Sequence, residues 1–350
     1  MYRSLVPDGE MLKVKQFSMF VLNSLFAVSF ANAAADKVAT ADELYQQAVV
    51  PYEQGWRKGV DLMIQAADLG SEQAQCWIAK SAVDSVWVWS DMSYKYFKMA
   101  ADQSALCGLL ALSVDEEGGI AIMRPKAFLV DGISVNTYKE RFDAALSLGI
   151  SKNNIEALKL KGFLSDNKNE ECKWFEKAAK FNDADAQFRL ANKIKSGCGW
   201  YVIPGSREKA VRHWIEQAAN HGHPKAMEVM SSYAEKDKDI VGMLAWLEHA
   251  ANTGNINSIR IYSTYLMGGD EFTIPIPADM QSNKKAYGWL YVLTHQLPPE
   301  TEESAYSRSV KELSLLEKKL SENEIEEAKS WANEWMKTHQ VRSYFLEFGM

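Results

Sequence analysis

The sequence predicts an all-α protein, an α-solenoid of antiparallel helix pairs. The first observation behind this is a phrase that recurs six times: a bulky residue, a pair of small residues one turn later, then a stop. It reads Leu62…Ala66-Ala67, Tyr96…Ala100-Ala101, Ala144-Ala145, Trp174…Ala178-Ala179, Trp214…Ala218-Ala219 and Trp246…Ala250-Ala251. The second observation is spacing, because successive alanine pairs lie 34, 44, 34, 40 and 32 residues apart. A period of roughly 30–45 residues marks stacked arrays, in which a unit buries its apolar face only against its neighbours. The third is punctuation. Gly70, Gly222 and Gly254 each stand three residues after an alanine pair, and Asn182 takes that place in the fourth unit.

Taken in order, the chain opens with a targeting pattern. Lys13 and Lys15 precede an apolar run from Phe17 to Phe30, followed by Ala31-Asn32-Ala33. A positive segment, a short apolar core and a small-residue site are the order of a secretory signal, with cleavage expected near Ala33 and either Met1 or Met11 as the start. The apolar run is short against the roughly 20 residues that span a bilayer. A periplasmic or secreted chain with no stable membrane insertion follows. A first helix pair, about 40–68, is expected to cap the array.

The unit at 208–234 shows the grammar most fully. Trp214 and Ala218, like Ile215 and Ala219, are four apart and share a helix face, so a bulky side chain sits one turn above a recess. Gly222 stops the helix in a left-handed conformation. Pro224 suits the first turn of the next helix, whose N–H would lack a partner anyway. Ala74, Ala186 and Ala226 hold equivalent positions in that second helix. Two units depart from the pattern: Ser104 replaces the glycine after Ala101, and Gly149 follows Ala144-Ala145 one residue late. A degenerate seventh copy starts at Trp289. The last segments, 305–320 and 321–337, read as two polar-faced helices, the second opened by the Ser321…Glu324 capping-box spacing.

Trp174-Phe175-Glu176-Lys177-Ala178-Ala179, the run from Trp214 to Gly222 and the run from Trp246 to Gly254 resemble the Sel-1-like repeats, relatives of the tetratricopeptide repeats. The resemblance covers about 43–324 and implies a right-handed superhelix that serves as an adaptor or scaffold surface. The division is then a signal segment at 1–33, the repeat solenoid at 40–298, C-terminal capping helices at 299–339 and a tail at 340–350. In such families the links between helices vary most, so the stretches at 116–135, 197–206 and 268–280 read as insertions on one edge. Long loops on a rigid scaffold are frequent binding sites.

Composition narrows the function. A chain of 350 residues with 47% hydrophobic and 24% charged content has ample material for a core. Its net charge of −7 and lack of a basic stripe argue against nucleic acid. Gly268-Gly269-Asp270-Glu271-Phe272 spells a diguanylate cyclase signature, yet it falls between two repeat helices and reads as a chance match. His221-Gly222-His223 lacks further ligands for a metal. No nucleophile elbow, zinc-protease motif or phosphate-cradling loop occurs, so no cofactor and no enzymatic activity are assigned. The expected partner is a protein. Candidate contacts are the aromatic residues of three loop regions: Trp87, Trp89 and Tyr94; Trp200 and Tyr201; and Phe272. The expected role is an exported, monomeric adaptor or scaffold for an envelope or secreted partner. The alternative is an inhibitor that neutralises a secreted toxin such as a phospholipase, with an enzyme as a minor third reading.

Export permits disulfides. Cys172 and Cys198 lie at the outer ends of two helices that double back through Asn182, which makes them a candidate pair. Cys76 and Cys107 occupy non-equivalent positions in their repeats and are expected to be buried free thiols.

Overall fold

The structure is a computed structural model that describes residues 40–52, 57–81, 83–85, 88–113, 134–269, 274–297 and 305–342. The stretch at 1–33, expected from sequence to be a signal segment, lies outside these residues.

Helices dominate. In chain order they are α1 (40–52), α2 (Arg57–Asp68), α3 (Glu72–Ser81), α4 (Asp91–Asp102), α5 (Leu106–Ser113), α6 (Val135–Ser151), α7 (Ile155–Phe163), α8 (Lys168–Ala179) and α9 (Ala184–Lys195). They continue with α10 (Ser206–Asn220), α11 (Pro224–Lys236), α12 (Ile240–Asn252), α13 (Ile256–Leu266), α14 (Asn283–Gln296), α15 (Tyr306–Leu316) and α16 (Glu322–Met336). A two-stranded antiparallel hairpin, β1 (Val83–Ser85) with β2 (Val88–Trp89), bridges α3 and α4. From α3 to α15 each helix packs on the one before it, whereas α16 packs extensively on α14 rather than on α15, the one extensive non-neighbour contact among the described helices. Packing restricted to neighbours is what defines a solenoid.

One turn, used six times within the hairpins and once more between α11 and α12, where Lys238 is left-handed, builds the array. Gly222 N–H donates to the Ala219 carbonyl at 3.0 Å and His223 N–H to the Ala218 carbonyl at 2.9 Å, so the alanine pair supplies both acceptors of a Schellman cap. The residue closing that cap is also the N-cap of the next helix: His223 Nδ1 accepts from Ala226 N–H at 3.2 Å. Asp183 caps Ala186 in the same way at 2.7 Å, and Asn255 caps Ser258 at 3.0 Å. The central residue needs positive φ, supplied by Gly70, Gly222 and Gly254 and, with a side chain, by Ser104, Asn153 and Asn182. Asparagine tolerates that region better than most residues.

The third unit corrects the sequence reading. Gly149 is not a delayed stop but lies inside α6, and the left-handed residue is Asn153. Asn153 and Asn154 N–H groups donate to the carbonyls of Ile150 and Gly149, so Gly149-Ile150 occupies the alanine-pair position. Ala144 is solvent-exposed. The other five pairs are fully buried. The reason is contact distance: a Cβ on Gly149 would stand 2.6 Å from Ala157 Cβ, so this approach admits nothing larger than glycine.

The core forms three clusters along the array. At the C-terminal end Trp289 on α14 is fully buried, with Trp331 and Trp335 of α16 edge-on at 4.8 and 5.3 Å. The chain then turns back: Arg342 N–H donates to the Gly254 carbonyl at 2.8 Å, and Val341 is fully buried.

The cysteines also correct an expectation. Cys76 and Cys107 are not free thiols but are joined, with Cα atoms 6.0 Å apart. Cys107 lies three residues earlier in its repeat than Cys76, about one helical turn or 4.5 Å of rise. Neighbouring inner helices take up that stagger, so non-equivalent positions meet. Cys172 and Cys198 are joined as well, with Cα atoms 6.3 Å apart.

Candidate functional site

Two surfaces stand out, a groove and an edge. The groove has a volume of about 790 Å³ and is lined by residues of the odd-numbered helices α1, α3, α5 and α7. Its walls are apolar at Tyr45, Val49, Trp77, Leu106, Leu110 and Ile155, with Glu72, Glu156, Lys80 and Lys159 set among them. Arg342 reaches it from the returning C-terminal segment. That size and mixture fit one short peptide segment or a small ligand. Desolvation and the facing Glu156 and Asp42 carboxylates hold the Glu72 carboxyl above its ordinary range. The acidic side of the groove therefore favours a cationic or hydrogen-bond-donating group.

The edge is the loop from Gly197 to Gly205. Trp200 is 89% exposed, Val202 69% and Ile203 72%. Such a group is costly to leave in water, at roughly 25 cal/mol per Å² of apolar surface. The loop is nonetheless firmly braced. Arg207 Nη1 donates to the carbonyls of Ile194 at 2.6 Å and Cys198 at 2.8 Å, and its guanidinium lies 4.8 Å from the Tyr201 ring centre. Cys198, bonded to Cys172, anchors the start of the loop in the core. Gly197, Gly199 and Gly205 take positive φ where the chain bends.

The other residues picked from sequence are scattered. Trp87, Phe272 and most of the stretch 116–135 lie outside the described residues. Trp89 pairs with Val83 in the short hairpin. Tyr94 is half-buried on α4 and packs on the N-terminal core cluster. Tyr201 is half-buried beneath Arg207, so only Trp200 of that pair faces solvent. Sequence reasoning missed Val202 and Ile203, which continue the exposed run from Trp200, and the groove residues Trp77, Leu106 and Ile155. An apolar run ending at Pro204-Gly205, too short for a helix and without strand alternation, was the available signal for the first two.

The histidines serve the turns. His221 Nδ1 donates to Gln187 Oε1 at 2.9 Å, and His223 is a fully buried N-cap stacked on Phe188 at 4.3 Å. Among the described residues no group of three or more His, Cys, Asp or Glu side chains is placed to hold a metal ion. Nor is any described helix long and apolar enough to cross a membrane.

Fold and surfaces together define an α-solenoid of stacked helix hairpins with a ligand-sized inner groove and one apolar edge. Solved structures similar to it are Sel1-repeat proteins. One is a protective antigen present in uropathogenic Escherichia coli strains and displaying an SLR fold, with 14% identity and a TM-score of 0.40. The match covers 86% of this chain and 61% of that one, so this chain spans about three fifths of its length. Another is a Sel1 repeat protein from Oxalobacter formigenes, with 18% identity, a TM-score of 0.39, and 88% and 89% of the two chains covered. No protein-family model matches the sequence, and no curated protein matches it.

Proposed function

We propose that this protein is an exported interaction scaffold that binds a partner protein through the edge loop carrying Trp200, Val202 and Ile203, with the inner groove as a second contact. One observation carries the reading: three large apolar side chains are held outward on a loop fixed by an arginine and a disulfide. A loop that merely connected α9 to α10 would gain nothing from exposing a tryptophan. A rigid tryptophan with aliphatic neighbours is the usual make-up of an interface anchor, because little conformational entropy is lost on binding. Two disulfides support an oxidising compartment, in keeping with the signal-like segment at 1–33.

The test is affinity capture from an envelope fraction with the mature chain and with a W200S/V202S/I203S variant. Proteins retained by the first and lost by the second, at equal helicity by circular dichroism, support the loop as the contact. Identical retention by both removes it from the interface.

A further inference from the structure

The two disulfides occupy opposite environments. Cys172 and Cys198 are 8% and 2% exposed and belong to a core cluster. Cys76 and Cys107 are only half-buried, and both line the 790 Å³ groove beside Trp77 and Leu106. The groove bond also spans helices that share little other surface. Cys76 is on the second turn of α3 and Cys107 is the second residue of α5; α3 packs on α2 and α4, and α5 on α4 and α6.

From this contrast we infer that Cys76–Cys107 is a thiol–disulfide exchange site open to a thiol that enters the groove, whereas Cys172–Cys198 is a sealed structural bond. The chemistry balances without any group beyond the incoming thiol. Its thiolate attacks one of the two sulfurs and forms a mixed disulfide. The Cys76–Cys107 bond breaks, and the departing cysteine leaves as a thiolate that takes a proton from water. With a dithiol, the second thiolate attacks the mixed disulfide. The dithiol is then oxidised by two electrons, and Cys76 and Cys107 are left reduced. Access decides which bond reacts, because attack requires the nucleophile to approach along the S–S axis. A groove wall admits that approach and a packed core does not. Opening the bond unclips α3 from α5 and loosens the wall that a ligand would meet. The inference does not rest on the edge-loop contact; it adds to the groove that the proposed function takes as a second contact, and a dithiothreitol titration reads it with no partner bound.

The experiment titrates the native full chain with dithiothreitol, quenches with iodoacetamide and maps the alkylated cysteines by mass spectrometry. Cys76 and Cys107 should be labelled at a dithiothreitol concentration about tenfold below that needed for Cys172 and Cys198, with circular dichroism unchanged. Reduced glutathione should leave a mixed disulfide on Cys76 or Cys107 alone. In a C76S/C107S variant the early labelling step should vanish. Simultaneous reduction of both pairs, earlier loss of Cys172–Cys198, or labelling of Cys76 and Cys107 only where helicity is lost would overturn the inference. The wild-type titration decides the matter even if the variant does not fold.

Discussion

Gln187 and His221 sit 34 residues apart in sequence and 2.9 Å apart in space, one on the inner helix of a hairpin and the other in the turn of the next. Gln187 also donates from Nε2 to the Ala179 carbonyl at 3.1 Å. Three hairpins earlier Gln75 repeats both contacts, donating to the Ala67 carbonyl at 2.9 Å and accepting from Gln103 at 2.9 Å. Each glutamine thus fastens its own turn and the following one at once. Because Gln187 Oε1 can only accept, His221 must carry its proton on Nδ1.

Replacing Gln187 by alanine should destabilise the protein by about 1–3 kcal/mol, since a buried carbonyl and an imidazole N–H lose their partner. His221→Gln should be close to neutral, because it recreates the Gln75–Gln103 pair. Midpoints of urea denaturation measure both. Equal losses for the two substitutions would show that the hydrogen bond is not what matters.

His223 makes stability sensitive to acid. Burial, with the nearby Arg189 and Lys225 cations, lowers its pKa from 6.5 to about 3, so the folded protein holds it neutral. The unfolded chain takes up a proton below pH 6.5 and the folded one does not. Stability therefore falls as the pH drops from about 6.5 towards 3, by an amount on the order of 4 kcal/mol. His223→Asn keeps an N-cap of the kind already present at Asn154 and Asn255, and should flatten the thermal midpoint over that window. A slope unchanged by the substitution would place the acid sensitivity elsewhere.

Gly108 on α5 is a contact of backbone on backbone. A Cβ there would lie 2.4 Å from both the Ala101 nitrogen and the Phe97 oxygen, neither of which can rotate away. Gly108→Ala should cost about 3 kcal/mol, at the upper end of overpacking penalties. Gly162→Ala, which would meet the edge of the Phe175 ring at 3.0 Å, should cost visibly less. Thermal unfolding of the two variants side by side checks the order.

Trp289→Ala should remove about 3–5 kcal/mol, because the fully buried ring leaves a cavity between Trp331 and Trp335. The near-ultraviolet circular dichroism of the coupled indoles should fall with it. A loss below about 1 kcal/mol would mean that α16 collapses onto α14 and closes the gap.

The helix pairs were legible in sequence because the turn leaves covalent traces: two small residues, a left-handed position three further on, and a polar cap after that. Where the trace was partial the reading slipped. Ala144-Ala145 has the composition of the motif but not its sequel, whereas Asn153-Asn154, a left-handed residue followed by a cap, marks the true turn. The Cys76–Cys107 bond was hidden for a different reason. Repeat equivalence predicts which residues share an environment, but not which touch across staggered helices. Exposure was the least legible property. The local sequence places Trp200 in a Gly- and Pro-bounded loop and Trp289 in a helix, but it does not tell Tyr201, half-buried beneath Arg207, from its exposed neighbour Trp200. That difference arises from what the neighbouring hairpin covers.

The short turns inside the hairpins are three or four residues long and fall at one end of the hairpins. At the other end the link from α11 to α12 repeats the same device, with Lys238 left-handed, Asp239 N–H donating to the Ala234 carbonyl and Asp239 capping Gly242. The links at the other end range from the three residues after α11 to the stretch of about twenty before α6. Phase along the stack is thus set mainly on one rim, and on the other where α11 meets α12. Elsewhere on that opposite rim residues can be added or removed without shifting a single buried alanine, so new binding specificities can be tried there while the superstructure stays in step.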